Sequence, residues 1–75
     1  MSITQEIGRN IVSLRRSKGI SQEALALFSG MSVSYLRLIE HGEANPTIDA
    51  LERLADTLDE PANRLIADGG AHAEA

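Results

Sequence analysis

Residues 33–41, VSYLRLIEH, hold the side chains with the most chemistry to offer a ligand. Leu36 and Ile39 stand three apart, so in a helix they share one face. With that face given to a core, Val33, Ser34, Arg37 and Leu38 point outward, with Tyr35 between. Arg37 carries a two-pronged donor that fits the paired acceptors of a guanine edge; the alternative is an ordinary surface cation. Ser34 can reach a base or a phosphate. Val33 can press on a thymine methyl, as apolar side chains do. For Tyr35 two readings stand, a hydroxyl donating to phosphate and a half-buried ring.

Other chemistries find little support. The sequence has no cysteine, so neither a disulfide framework nor a cysteine-based metal site is expected. His41 and His72 are the only histidines and lie far apart, without a ligand cluster around them, so no metal or cofactor is expected. The carboxylates are scattered, and Gly69-Gly70 is not a phosphate-binding GxxxxGK[ST] loop. An enzyme is therefore not expected. One tyrosine and one phenylalanine leave little aromatic surface for stacking on unpaired bases. The apolar runs fall short of a membrane span and no signal peptide opens the chain, which points to a cytoplasmic protein.

A set of short helices must position residues 33–41. Seventy-five residues suggest one domain, read here as 1–67, followed by a flexible tail over 68–75. Ile3, Ile7, Ile11 and Leu14 recur at helical spacing, widened by Val12, and predict a first helix from about Thr4 to Lys18, with Thr4 as its cap. Gly19 stops it. Ser21 caps a second helix, about Gln22 to Ser29, with Leu25 and Ala26 inward. Gly30 breaks it, since glycine suits a left-handed turn. Ser32 caps the third helix, Val33 to His41, which Gly42 ends and Asn45-Pro46 bars from continuing. His41 at that end complements the helix dipole. Thr47 caps a fourth helix whose apolar face is Ile48, Leu51, Leu54, Ala55 and Leu58. A fifth begins near Glu60 or Pro61, with Ala62, Leu65 and Ile66 apolar. The expectation is an all-α, five-helix domain, and the second and third helices around Gly30 form a helix-turn-helix.

Charge is polarised along the chain. Residues 1–20 carry Arg9, Arg15, Arg16 and Lys18 against Glu6, a local charge of +3. Residues 43–58 and 59–75 each carry −3, and the whole chain −4. Phosphate contact needs a local basic surface rather than a basic protein.

The spacing within this stretch resembles a family. Counted from Gln22, alanine stands fifth (Ala26), glycine ninth (Gly30), and apolar residues fifteenth (Leu36) and eighteenth (Ile39). With Leu14-Arg15, the run Gly19 to Glu23, Ile39-Glu40-His41-Gly42 and Asn45-Pro46-Thr47, this is similar to the Cro/C1-type repressors, or XRE regulators. The resemblance covers roughly residues 4–66. It implies a lambda-repressor-like fold and a transcriptional regulator that binds duplex DNA sequence-specifically, as a homodimer on an inverted repeat, with the third helix in the major groove. It places Val33, Ser34 and Arg37 at base-reading positions, with Leu38 beside them where many relatives carry a basic residue.

The resemblance also implies an Arg15–Glu40 ion pair tying the first helix to the third. It sets Gln22 at the DNA backbone, bridging to phosphate or bracing a base-reading side chain. Asn45 offers its amide to phosphate or serves as a turn residue before proline. Arg16 and Lys18 contact phosphate or supply solubility and dipole complement. The dimer is expected through Leu58, Ala62, Leu65 and Ile66. Leu27 and Phe28 depart from the family's polar pattern. Phe28 is then an extra core residue covering the turn, or the two form an apolar patch for a protein partner. The second option defines the rival function, a protein–protein module of antitoxin-like character with weak DNA binding.

Overall fold

The computed structural model describes residues 2–66; the expected tail over 68–75, and His72 in it, lie outside the described residues. Five helices follow in order: α1 (Ile3–Ser17), α2 (Gln22–Phe28), α3 (Val33–Glu40), α4 (Ile48–Leu58) and α5 (Asn63–Ile66). No strand occurs among the described residues. None of these helices is long and apolar enough to cross a membrane.

Hydroxyl caps set the starts of α1 to α4. Ser21, Ser32 and Thr47 each accept from the backbone N–H three residues on, at 3.0–3.1 Å. This satisfies one of the orphan donors that open a helix. At α1 the cap is Ser2, not Thr4. Ser2 Oγ accepts from Gln5 N, and Ser2 N donates to Gln5 Oε1, both at 3.2 Å. This reciprocal box satisfies two groups at once, which Thr4, already one residue inside the helix, cannot do.

The core unites all five elements. Ile7, Ile11 and Leu14 of α1 meet Leu25 and Ala26 of α2, Leu36 and Ile39 of α3, Leu51, Leu54, Ala55 and Leu58 of α4, and Leu65 of α5. Three residues of the expected apolar faces fall outside it, Ile3, Val12 and Ile48. Ile3 and Ile48 are exposed, because each stands in the first turn of its helix, beyond the reach of the elements that cover the rest of the stripe.

The chain also reaches α5 differently. Asp59 adopts a left-handed conformation (φ 57°) and ends α4, and Glu60 N donates back to Ala55 O at 2.9 Å. Residues 60–62 are thereby used in the turn, and α5 begins at Asn63 rather than at Glu60 or Pro61. Leu58 and Leu65 are both 0 % exposed, filling the monomer core. That corrects the expected dimer surface: removing these two from the core would open cavities. Only Ala62 and Ile66 of that set remain partly accessible. Asn10, also buried, donates from Nδ2 to Leu65 O at 3.0 Å and so ties α1 to α5.

Gly8 governs how α3 sits on α1. A Cβ at this position would lie 2.5 Å from Ile39 O and 2.7 Å from Glu40 O. These are backbone atoms at the end of α3, so the two helices can approach this closely only over glycine.

Candidate nucleic-acid interface

Residues 22–40 fold as two short helices joined by a tight turn. Gly30 takes φ +71° there, and Met31 N reaches back to Ala26 O at 3.0 Å. The turn throws α3 across the end of α2 with Leu36 and Ile39 fully buried. Helical geometry then fixes what α3 shows outside. Ser34, Arg37 and Leu38 are exposed and stand at i, i+3 and i+4, a single stripe that His41 extends by one turn. Arg37 makes no ion pair among the described residues, leaving its guanidinium for an outside acceptor. Leu38 is 44 % exposed. Val33 and Tyr35 flank the stripe and are only half exposed, each resting partly on the core. Val33 is thus less outward than its position in the pattern suggests.

Behind the stripe lies a polar clamp. Glu40 Oε2 accepts from Arg15 Nε at 2.7 Å, and Oε1 accepts from Arg15 Nη2 at 3.1 Å. Gln22 Nε2 donates to the same Oε1 at 2.9 Å, and Arg15 Nη1 donates to Ile20 O at 3.1 Å. The Glu40 side chain is 3 % exposed and that of Arg15 13 %. One carboxylate therefore joins α1, the start of α2 and the end of α3. A buried charge needs such multiple donors to offset its lost hydration. The clamp fixes the tilt of α3, and it holds the Gln22 amide by its nitrogen.

The cations expected at phosphate divide in two. Arg16 is exposed on α1 and, with Arg9, Val12 and Ser13, borders a shallow depression that reaches Glu40. Lys18 turns the other way: its Nζ lies 3.1 Å from Glu60 Oε2, and Glu60 also holds Arg64 at 3.5 Å. Lys18 is exposed apart from this ion pair. Asn45 is exposed in the loop between α3 and α4, next to the buried Pro46.

Phe28 is not a core residue. It is 74 % exposed and Leu27 72 %, because Leu25 and Ala26 already fill the inner side of α2. Phe28 borders an open groove of about 630 Å³ with Ile20, Ala24 and Thr57. Ser29 beside it is buried and donates to Thr57 Oγ1 at 2.9 Å, linking α2 to α4.

Sequence reasoning passed over three positioning features. Gly8 was signalled by an isolated glycine inside a helical pattern. Asn10 was signalled by an amide lying on the apolar stripe with Ile7, Ile11 and Leu14. His41, besides complementing the helix dipole, stands seven residues from Ser34 and so on the same face. Among the described residues no group of three His, Asp or Glu is placed to hold a metal ion.

The arrangement can be set beside known proteins. Residues 11–65 match the family model described as Helix-turn-helix. An uncharacterized HTH-type transcriptional regulator, y4dJ of Sinorhizobium fredii, is 41% identical over 58 residues, which span 77% of this chain and 75% of that protein. The control protein C.SmaI of Serratia marcescens is 33% identical over 66 residues, 88% of this chain and 79% of the relative. Among solved structures, the restriction-modification controller protein C.AhdI of Aeromonas hydrophila superposes with a TM-score of 0.80 at 35% identity, covering 83% of this chain and 94% of that one.

Proposed function

From the premise that the chain belongs to the Cro/C1-type helix-turn-helix family of DNA-binding transcriptional regulators, we propose that it reads a specific duplex sequence as a homodimer on an inverted repeat. The observation that carries this is the exposed stripe of Ser34, Arg37 and Leu38, backed by the buried Arg15–Glu40–Gln22 clamp. A recognition helix lies in the major groove with its exposed side at base edges. The clamp supplies the rigidity that such contacts need.

Within this reading Arg37 pairs with guanine and Ser34 reaches a base or a phosphate. Val33 and Tyr35 work from the flanks, Tyr35 through its hydroxyl to phosphate. Arg16 and Asn45 contact the backbone, and Gln22 braces the helix against Glu40. The two-fold contact uses Ala62, Ile66 and the surface around the end of α4. C.AhdI and C.SmaI, a controller and a control protein by name, illustrate one class of regulator that this chain resembles.

Selection from a randomised duplex pool at physiological salt tests the reading. The expected outcome is an enriched inverted repeat with half-sites about one helical turn apart. Binding without enrichment, lost as salt rises, would leave only sequence-independent phosphate contact. In that case the exposed Leu27 and Phe28 favour the second reading, a protein–protein module. That reading expects a Leu27→Ser, Phe28→Ser double variant to lose its partner while remaining folded.

A further inference from the structure

We propose that the stripe on α3 reads the guanine acceptor edge through Arg37 and the thymine 5-methyl group through Leu38, and that it offers adenine no two-pronged amide contact. This assignment rests on the DNA reading above and adds the chemical class of the half-site.

Two-pronged readout of adenine uses an Asn or Gln whose amide oxygen and nitrogen both face the base edge. Residues 33–40, VSYLRLIE, contain neither. Gln22, at the start of α2, donates one amide N–H to Glu40 Oε1 at 2.9 Å and is engaged in the clamp. Asn10 is buried against Leu65 O. Cytosine is read by a carboxylate accepting from its amino group. Glu40 is the only carboxylate of α3, and it is buried beneath Arg15. What remains outward is one guanidinium, one small hydroxyl and one leucine.

Leu38 is not among the side chains of the core cluster. It is 44 % exposed, four residues from Ser34 and next to Arg37, while Leu36 and Ile39 serve the core at 0 %. An apolar side chain in the major groove has one apolar partner on the base edges, the thymine methyl. Val33, half-buried on the flank, adds at most a second methyl contact.

The test starts from the enriched half-site and replaces each thymine singly by deoxyuridine, which removes the methyl and nothing else. At one position the Kd is expected to rise about fourfold, the worth of burying one methyl-sized group. Replacing the paired adenine by 7-deazaadenine, which lacks the N7 acceptor, is expected to change nothing. Leu38→Ala, at a surface position that leaves the fold intact, is expected to bind thymine and uracil sites equally. Arg37→Ala is expected to keep the thymine-to-uracil ratio while binding both more weakly. If the protein selects a sequence but no uracil substitution matters, the methyl assignment is overturned and the DNA reading survives; if 7-deazaadenine weakens binding, the absence of an adenine contact is overturned. If no sequence is selected, both fall together.

Discussion

Two seams hold the helix-turn-helix in place, and they are built in opposite ways. Between α1 and α3 the backbones nearly touch over Gly8, and Arg15, Glu40 and Gln22 satisfy one another in a buried network. Between α2 and α4 the polar link over the shared core is a Ser29–Thr57 hydrogen bond beside an open groove, with Leu27 and Phe28 facing outward; an Arg53–Asp49 pair within α4 is more than half exposed. The first seam leaves α3 no freedom of tilt. The second leaves a surface that folding alone does not use. Rigidity is thus spent where a recognition helix must be aimed, and adhesive surface is left where nothing needs aiming.

The sharpest way to break this contrast is to cut the clamp. Arg15→Ala strands the Glu40 carboxylate in a buried position with only Gln22 to donate to it. The expected loss is about 3 kcal/mol of folding stability, of the size measured when one partner of a buried pair is removed. Thermal unfolding should register it as a drop of roughly 12–24 °C for a domain this small. The exposed Arg53→Ala, by contrast, should cost less than about 1 kcal/mol. Equal losses from the two would mean that the α1–α3 seam is not special.

Gly8→Ala probes the same seam through packing rather than charge. The added methyl meets carbonyl oxygens of Ile39 and Glu40 that belong to the backbone, so the helices must separate. Overpacking of this kind costs about 1–3 kcal/mol against a small gain in helix propensity. Because α3 would also move, DNA affinity should fall by more than the lost folded fraction explains; titration at a temperature where the variant is fully folded checks this.

Arg37→Ala separates function from fold. Arg37 is exposed and has no ion-pair partner among the described residues, so chemical denaturation should change by no more than about 0.5 kcal/mol. Binding to the selected site should weaken by about 1–3 kcal/mol and preference should relax at one base pair. A variant that binds as tightly as the parent would remove Arg37 from the reading side.

The contrast between the seams also explains what could be read in the sequence. Caps at Ser21, Ser32 and Thr47, the glycine turn and the inward faces of α2 and α3 were legible, because each depends on residues three or four apart. The expected and observed helices differ where the outcome depends on distant partners. Periodicity marks Ile3 and Ile48 as apolar-face residues but cannot say that no neighbour reaches the first turn of their helices. It marks Leu58 and Leu65 as apolar without telling a core from an interface. Lys18 reads as a free cation until Glu60, 42 residues later in the chain, is brought beside it. At the site, the outward placement of Ser34 and Arg37 was legible from Leu36 and Ile39. The grip of Glu40 on Gln22 was not, since the amide of Gln22 had two uses open to it.

The second seam yields the smallest expected effect on the fold and a clean one. Phe28→Ser removes a ring that is 74 % exposed, so little burial is lost and stability should stay within about 0.5 kcal/mol of the parent. Sedimentation should be unchanged if the dimer forms through Ala62 and Ile66 as proposed. Denaturation together with sedimentation therefore separates three cases. No change in either means the patch serves some other partner or none. A loss of dimer at constant monomer stability means the groove beside Ile20 and Ala24 receives Phe28 of a second copy, and the two-fold axis must move to this face. A loss of several kcal/mol would mean that Phe28 is covered in solution, and the contrast between a closed seam and an open one would not hold.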